Sequence, residues 1–414
     1  MSKSSSRILA IIIAALLFIV VLLYLNHRLA VASPGGVDFM THWVGTHALF
    51  QGESPYSKAV GVRVQTLYYG HPAEPGANEF LDPYMLHMEI IFAPFALIAD
   101  YSWARAVWMT FLELATIAIF ALSMQIVGWR PRLITLSLYL VYAVLGYHSL
   151  RPVINGNVTT VMALFIVCAV WGIRRRRDAA AGILMAFVLA KPNLALVPLL
   201  FMTLWTLSVK GWRFVAWLAG SFAFLVLAGM LIIPDWPAQN LANILHYSAY
   251  NPPTTIAAAL NELLPSLGRW IGYLIYAALS AVLVWEWIKA FGKDFSVFLP
   301  AFCLTLVVSQ WLWITTDPGN FIILTLPLAL VLKFIDESRY GNVLNPALLL
   351  LWLVGLWALF LTTFDPSKGN LQSPILFFPL PAALLAGLYL RQQQKQSGEG
   401  LPGPGKAVEE GHQV

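Results

Sequence analysis

The sequence predicts an all-α polytopic membrane protein with about twelve transmembrane helices, within a range of roughly 10–13. Of its 414 residues, 59% are hydrophobic and only 11% are charged, which leaves too little polar surface for a soluble globule of this size. Apolar runs long enough to cross a bilayer recur along the chain. Most of the 25 Lys and Arg residues fall in alternate, mostly short loops, as the positive-inside rule requires.

The first apolar run, from Ile8 to Leu25, follows two basic residues, Lys3 and Arg7. A signal peptide has the same layout, but this run is long enough to span the membrane and has no clean small-residue cleavage site. We therefore expect a retained anchor whose N-terminus faces the cytoplasm.

The later apolar runs complete a single membrane domain, residues 1–390. The two short runs 179–190 and 195–209 are interpreted as one hairpin, broken at Lys191-Pro192-Asn193. An even number of spans places the C-terminus in the cytoplasm, where the polar, Gly- and Pro-rich residues 391–414 are expected to form a disordered tail. The other predicted spans cover residues 103–127, 133–150, 158–173, 214–233, 270–288, 297–314, 321–334, 344–361 and 375–390.

The external segment after the first span, residues 29–104, is long for a chain whose other loops are short, and function concentrates in such loops. Its apolar stretch 85–98 is short for a span and is interrupted by Glu89 and Pro94, which favours an interfacial or re-entrant helix. If this stretch crossed the membrane, Arg174–Arg177 would lie outside, against the charge distribution. We predict a large external catalytic loop that carries interfacial helices.

The cysteines and the basic clusters exclude two classes of function. Cys168 and Cys303 both fall inside apolar spans, which argues against a disulfide framework or a cysteine metal site. The basic clusters are explained by membrane topology. We therefore expect membrane lipids as neighbours and no nucleic-acid partner.

Polar side chains from separate parts of the chain are predicted to converge at the outer face. Transfer of a group from a phosphate donor to a hydroxyl needs such a set, because a carboxylate takes the proton of the attacking hydroxyl and cations stabilise the charge that grows on the phosphate. For Asp38 taken alone, capping of an interfacial helix is an equally good interpretation. The converging residues are Asp38, the segment Arg151–Asn157, Lys191, Asp235, His246, Asp317 and Asn320.

Two of the outer cations are candidates for binding the donor phosphate. Lys191 lies between two short apolar runs, where a buried ammonium costs roughly 2.5–3.5 kcal/mol at the membrane centre. It either extends to the lipid headgroups or binds the phosphate of the donor. The guanidinium of Arg151 can bind two phosphate oxygens at once, although a loop arginine that meets lipid phosphates is an equally good interpretation.

Two blocks of the sequence carry a family resemblance. The first contains Asp38-Phe39, Trp43, Ala48-Leu49, Gly52 and Pro55-Tyr56, and the second contains Asn155-Gly156-Asn157-Val158, Ala181-Gly182 and Lys191-Pro192. Together they resemble glycosyltransferase family 87, whose members are multi-spanning enzymes of the GT-C architecture that use polyprenyl-phosphate sugars, typically mannose.

The resemblance implies a GT-C-like bundle and roles for three residues. Asp38 corresponds to the external-loop aspartate proposed as the catalytic base, while Asn157 and Lys191 fall near the donor. The sequence departs from the family pattern in three places. Asn157 stands where the family usually has Gln, a Tyr-Pro-Pro motif is absent before residue 85, and residues 315–327 have no histidine where many members have one.

Other polar and aromatic residues are candidates for acceptor or sugar contacts. If this loop is helical, His42 and Trp43 are more simply explained as interfacial residues. The histidines and acids between residues 71 and 89 could hold a divalent metal, since imidazole and carboxylate suit several ions, but their spacings fit no strong template. We therefore favour no metal, and we expect no other cofactor. The candidate contacts are His42, Trp43, Tyr56, His246, Asp317 and Asn320.

These observations favour a membrane glycosyltransferase over the alternative, a transporter or flippase for a lipid-linked or small polar solute. Transporters usually contain repeated halves with broken helices at the membrane midplane. Here the polar residues gather on one face and one external loop is large. We predict inverting transfer of a sugar from a polyprenyl-phosphate donor to a lipid or glycan acceptor, on the external face of the plasma (inner) membrane.

Overall fold

The computed structural model describes residues 3–33, 35–250, 255–312, 317–364 and 373–397. Within these ranges the regular structure is helical and contains no strand. Two 3-10 helices, Pro318–Leu324 and Pro374–Phe377, accompany the α-helices. The α-helices are α1 (Lys3–Ala32), α2 (Val37–Phe50), α3 (Lys58–Tyr69), α4 (Met88–Ala96), α5 (Tyr101–Val127), α6 (Leu133–Leu145), α7 (Tyr147–Asn155), α8 (Thr159–Arg174), α9 (Asp178–Val188), α10 (Pro192–Ser208), α11 (Trp212–Ile232), α12 (Trp236–Tyr250), α13 (Ile256–Leu263), α14 (Leu267–Ala290), α15 (Phe295–Ser309), α16 (Thr325–Asp336), α17 (Gly341–Thr363) and α18 (Pro379–Ser397).

Eight helical segments of the described chain are long and apolar enough to cross a membrane. Each predicted span corresponds to one of these eight or to one of the shorter apolar helices α8, α9, α10 and α15. The predicted all-α polytopic class is therefore confirmed. The eight segments are Ser5–Ala32, Tyr101–Val127, Leu133–Asn155, Trp212–Ile232, Leu267–Ala290, Pro318–Asp336, Gly341–Thr363 and Pro374–Gln394.

The chain contains two compact units. The first comprises Met1–Ala115, Arg151–Val161 and Phe222–Pro252, and it holds α1 to α4, the start of α5 and α12. The second comprises Thr116–Leu150, Met162–Ser221 and Pro253–Val414, and it holds the shorter apolar helices α9, α10 and α15. Residues 29–104, which the sequence predicts to be external, lie wholly in the first unit.

Helix α1 is the most exposed of the candidate spans, and none of its apolar window is buried. An apolar helix surrounded by lipid needs no partner for its backbone, because all of its hydrogen bonds are internal. Near its end, Asn26 is buried and its Nδ2 donates to Thr110 Oγ1 at 3.0 Å and to Glu113 Oε2 at 2.8 Å. The acid inside the second span therefore joins α1 to α5.

The apolar stretch 85–98 forms only a short helix. The nine residues of α4 extend about 13 Å, less than half of a hydrocarbon core of about 30 Å. Helix α4 therefore cannot cross a bilayer, and the topology that was predicted without a span here is consistent with the structure.

The predicted hairpin in the second unit is also present. Helix α9 ends at Val188, and α10 begins at Pro192 directly after Lys191. Proline is favoured at the first position of a helix, where its missing N–H is not needed. Gly182 lets α9 pack against α11 at backbone distance, since a Cβ there would lie 2.5 Å from Phe214 O.

The last helix extends beyond the predicted span. Helix α18 continues to Ser397, so the first residues of the predicted tail, 391–397, are helical. The rest of the tail, 398–414, lies outside the described residues.

Candidate active site

Asp38 lies in the first turn of α2, directly after a turn that only glycine accommodates. Gly36 precedes the helix with φ of 74°, and a Cβ at that position would lie 2.4 Å from Arg105 Nε. The N-terminus of a helix carries a partial positive charge, which stabilises a carboxylate placed there. Asp38 is half-buried, so the surroundings hold it without enclosing it.

Two asparagine side chains donate to the same oxygen of Asp38. The Nδ2 of Asn155 lies 2.5 Å from Asp38 Oδ2, and the Nδ2 of Asn157 lies 2.8 Å from it. Both asparagines are remote from Asp38 in sequence: Asn155 ends α7, and Asn157 lies between α7 and α8. Two neutral amide donors therefore orient this carboxylate oxygen.

The amide of Asn157 is itself fixed by the start of α8. Its Oδ1 accepts from Thr159 N at 2.9 Å and from Thr159 Oγ1 at 2.6 Å. Because the oxygen faces these two donors, the amino group of the same amide must face Asp38. The cap of one helix thus sets the direction of a hydrogen bond at the beginning of another.

Gly156 allows the asparagine segment to approach α2 closely. Its φ is 74°, and a Cβ there would lie 2.5 Å from the Cβ of Phe39. Its carbonyl oxygen accepts from Trp108 Nε1 at 2.9 Å. Phe39 is fully buried and stacks on Trp108 with ring centroids 5.8 Å apart, so the residue after Asp38 anchors the helix in the core.

Arg105 forms hydrogen bonds with both of the chain segments that meet at Asp38. It is buried, and its Nη1 donates to Ser33 O at 2.6 Å while its Nη2 donates to Ile154 O at 2.9 Å. Ser33 precedes α2, and Ile154 precedes the first of the two asparagines. The sequence analysis assigned no role to this arginine, although a cation within an apolar span was a signal that could have singled it out.

One turn further along α2, a second polar group is enclosed in the first unit. His42 Nδ1 lies 2.9 Å from Glu89 Oε1 and 3.8 Å from Asp82 Oδ2. The hydroxyl of Thr46 donates to Glu89 Oε2. Burial raises the pKa of Asp82 to about 8 and that of Glu89 to about 7, since the charged form of each carboxyl loses its hydration.

The sequence profile of glycosyltransferase family 87 matches residues 83–309, more than half of the chain. The chain belongs to glycosyltransferase family 87. The matched part includes Asn155, Asn157 and Lys191, and it begins after α2, so the role of Asp38 depends on the motif and on the geometry. Comparison with curated proteins and with solved structures gave no match. Family 87 membership, together with the apolar helices, makes the chain a multi-pass membrane glycosyltransferase.

Of the residues predicted for the site of this family 87 protein, the structure brings Asp38 and Asn157 into direct contact. Asn157 was expected to bind the donor phosphate, and here it donates to the carboxylate. Arg151 lies in α7, one turn before Asn155, and is half-buried in the same unit. Asn155 was not among the predicted site residues, and only the fold of the segment reveals its contact.

The aromatic and histidine candidates of the first unit lie in different surroundings. Trp43 is half-buried, and its Nε1 donates to Ile98 O at 3.2 Å. Tyr56 is buried, and its hydroxyl donates to Tyr84 O at 2.8 Å; burial raises its pKa above the usual value for tyrosine. His246 is exposed and pairs with Glu79 Oε1 at 3.1 Å.

The remaining candidates belong to the second unit. Lys191 is buried between α9 and α10. Asp317 caps the 3-10 helix that follows it, because its Oδ1 accepts from Gly319 N at 2.6 Å. Asn320 is buried within that helix.

Proposed function

We propose that this family 87 protein transfers a sugar from a polyprenyl-phosphate donor to a lipid or glycan acceptor on the external face of the plasma membrane, with mannose as the sugar. The observation that supports the proposal most directly is the half-buried carboxylate of Asp38, oriented by Asn155 and Asn157 at the start of α2. An acid with this exposure can reach a substrate hydroxyl, and its fixed direction suits proton transfer.

The proposed reaction is a single displacement. A hydroxyl of the acceptor attacks the anomeric carbon of the sugar, and its proton passes to Asp38. The bond between the anomeric carbon and the phosphate oxygen breaks, and the electron pair leaves with the lipid phosphate. One displacement inverts the configuration at the anomeric carbon.

The lipid phosphate gains charge as it leaves, and cations stabilise that charge. Arg151, in the same unit as Asp38, is proposed to bind it through two guanidinium N–H groups. Lys191 is proposed as a separate ligand of the donor phosphate. Its position in the family motif supports this role, and its ammonium matches the charge of a phosphate.

The test uses membranes that express the wild type, Asp38→Asn or Asp100→Asn, each supplied with radiolabelled polyprenyl-phosphate-mannose. Asp100→Asn is the matched control, because Asp100 is an exposed acid of the same unit that accepts from Trp103 N at 2.9 Å. Label should enter a lipid or polymer fraction with the wild type and the control, and at least about 100-fold more slowly with Asp38→Asn.

Three other results would count against parts of the proposal. Full incorporation with Asp38→Asn at equal protein would remove the proposed base. Incorporation from another polyprenyl-phosphate sugar but not from the mannose donor would correct the sugar. Failure of the wild type with every polyprenyl-phosphate sugar would contradict the donor class.

A further inference from the structure

The buried polar group of His42, Asp82 and Glu89, one turn along α2 from Asp38, has the composition and spacing of a metal site. His42, Asp82 and Glu89 each offer one ligand atom, and these atoms all lie within 4.8 Å of one another. In the part of the chain that the structure describes, no other set of three such residues does so. One imidazole with two carboxylates is a donor set that suits divalent transition metals.

The separations also fit ligands of one ion. Ligands bound at about 2.1 Å, at angles between octahedral and tetrahedral, lie about 3.0–3.4 Å from each other. His42 Nδ1 lies 2.9 Å from Glu89 Oε1 and 3.8 Å from Asp82 Oδ2. Shifts of a few tenths of an ångström would bring both His42 distances into this range, and the three ligand atoms all lie within 4.8 Å of one another.

Neighbouring groups orient the ligands from behind, as they do in established metal sites. The hydroxyl of Thr46 donates to the second oxygen of Glu89. The backbone N of Tyr84 donates to Asp82 Oδ1 at 2.8 Å, so the other carboxylate oxygen is the one nearest His42. The ring of Phe92 stacks on the imidazole with centroids 4.3 Å apart and holds its plane.

A cation would balance the negative charge that the two carboxylates carry when they are ionised. Asp82 and Glu89 are only 3% and 2% exposed. Among the described residues, neither forms an ion pair with a lysine or an arginine, and His42 is their one basic partner. Buried carboxyl groups are stable when they are protonated or when a cation compensates the charge of their ionised form. A divalent ion with two carboxylates and a neutral imidazole forms a neutral group.

We propose that His42, Asp82 and Glu89 bind one divalent transition-metal ion, zinc or manganese, in a structural site. The ion joins α2 to α4 and to the segment before it, one helical turn from Asp38. Because the ligands are enclosed, the ion holds the helix that carries the proposed base and takes no part in the transfer. This site differs from the expectation of no metal, and it does not depend on which sugar is transferred.

The test measures metal in the full-length protein, purified in detergent without a polyhistidine tag. After equilibration with zinc or manganese and gel filtration, elemental analysis should find about one ion per chain in the wild type. His42→Ala and Glu89→Gln should retain at least about tenfold less. Glu79→Gln, which alters the exposed pair with His246, should bind as the wild type does and so controls for surface binding.

A second measurement does not depend on the folding of those variants. A strong chelator should lower the unfolding temperature of the wild type, and zinc or manganese should restore it. Thr46→Val, which removes only a supporting hydrogen bond, should weaken metal affinity about tenfold or more. A wild type that holds less than about a tenth of an ion per chain, or a Glu89→Gln variant that holds as much as the wild type, would overturn the proposal.

Discussion

Helix α2 contributes Asp38 to one polar group and His42 to another, and the acids of the two groups lie in opposite surroundings. Asp38, in the first turn, is half-buried and meets two neutral amides. One turn later, His42 meets two enclosed carboxylates, Asp82 and Glu89. Exposure and the type of partner make the difference. An acid that must exchange a proton with a substrate needs access and orientation, whereas enclosed acids need compensation of their charge.

The largest effect on sugar transfer is expected at Asp38, the more exposed of the two groups. Asp38→Asn should lower sugar transfer by at least about 100-fold, because the proton of the acceptor loses its base. The unfolding temperature should change little, since Asp38 is half-buried and Asn keeps its shape. Transfer assays and thermal unfolding of the same preparations would measure both. A large loss of stability would show that Asp38 serves the fold instead.

At the enclosed group around His42, we expect a large loss of stability and little change in sugar transfer. Glu89→Ala should lower the free energy of unfolding by about 3–5 kcal/mol, since it leaves His42 buried without its closest carboxylate. Reversible unfolding, or the temperature of unfolding where the transition is irreversible, would detect this. Transfer per folded molecule should remain within a few-fold of the wild type. Loss of transfer with unchanged stability would make this group part of the chemistry.

The amides at Asp38 allow a sharper test of orientation. Asn155→Ala should slow transfer about tenfold, because a hydrogen bond to a charged group contributes about 1.5 kcal/mol at the lower end of its range. Asn157→Ala should do the same, and the double variant should lose less than the product of the two, since both donate to one oxygen. Strictly multiplicative losses would mean that the two amides act independently of each other.

The smallest effect concerns the support of Glu89. Thr46→Val removes the hydroxyl that donates to Glu89 and keeps the side-chain volume, so we expect a loss of about 1 kcal/mol of stability. Thr41→Val is the matched control on the same helix, because its hydroxyl donates only to the Val37 carbonyl one turn earlier. Equal losses in the two variants would show that Thr46 contributes no more than an ordinary helix threonine.

Local features of the chain were enough to predict its general architecture. The first apolar run became α1, the break at Lys191-Pro192 became the start of α10, and the stretch with Glu89 and Pro94 became a helix too short to cross a membrane. Each of these depends on length, composition or a proline, which act over a few neighbouring residues. The motif at Asp38 and the resemblance to family 87 could be recognised for the same reason, because they consist of residues that lie close together in the sequence.

The partners of each site residue could not be read in this way. Asn155 and Asn157 lie more than a hundred residues from Asp38, and Glu89 lies 47 residues from His42. The apolar composition of the spans, their lengths and the motif around the candidate base are encoded locally, so the sequence by itself determined them. Which amides orient the base, and which acids surround His42, depends on how Phe39, Gly156 and Trp108 pack, and only the tertiary structure decided it.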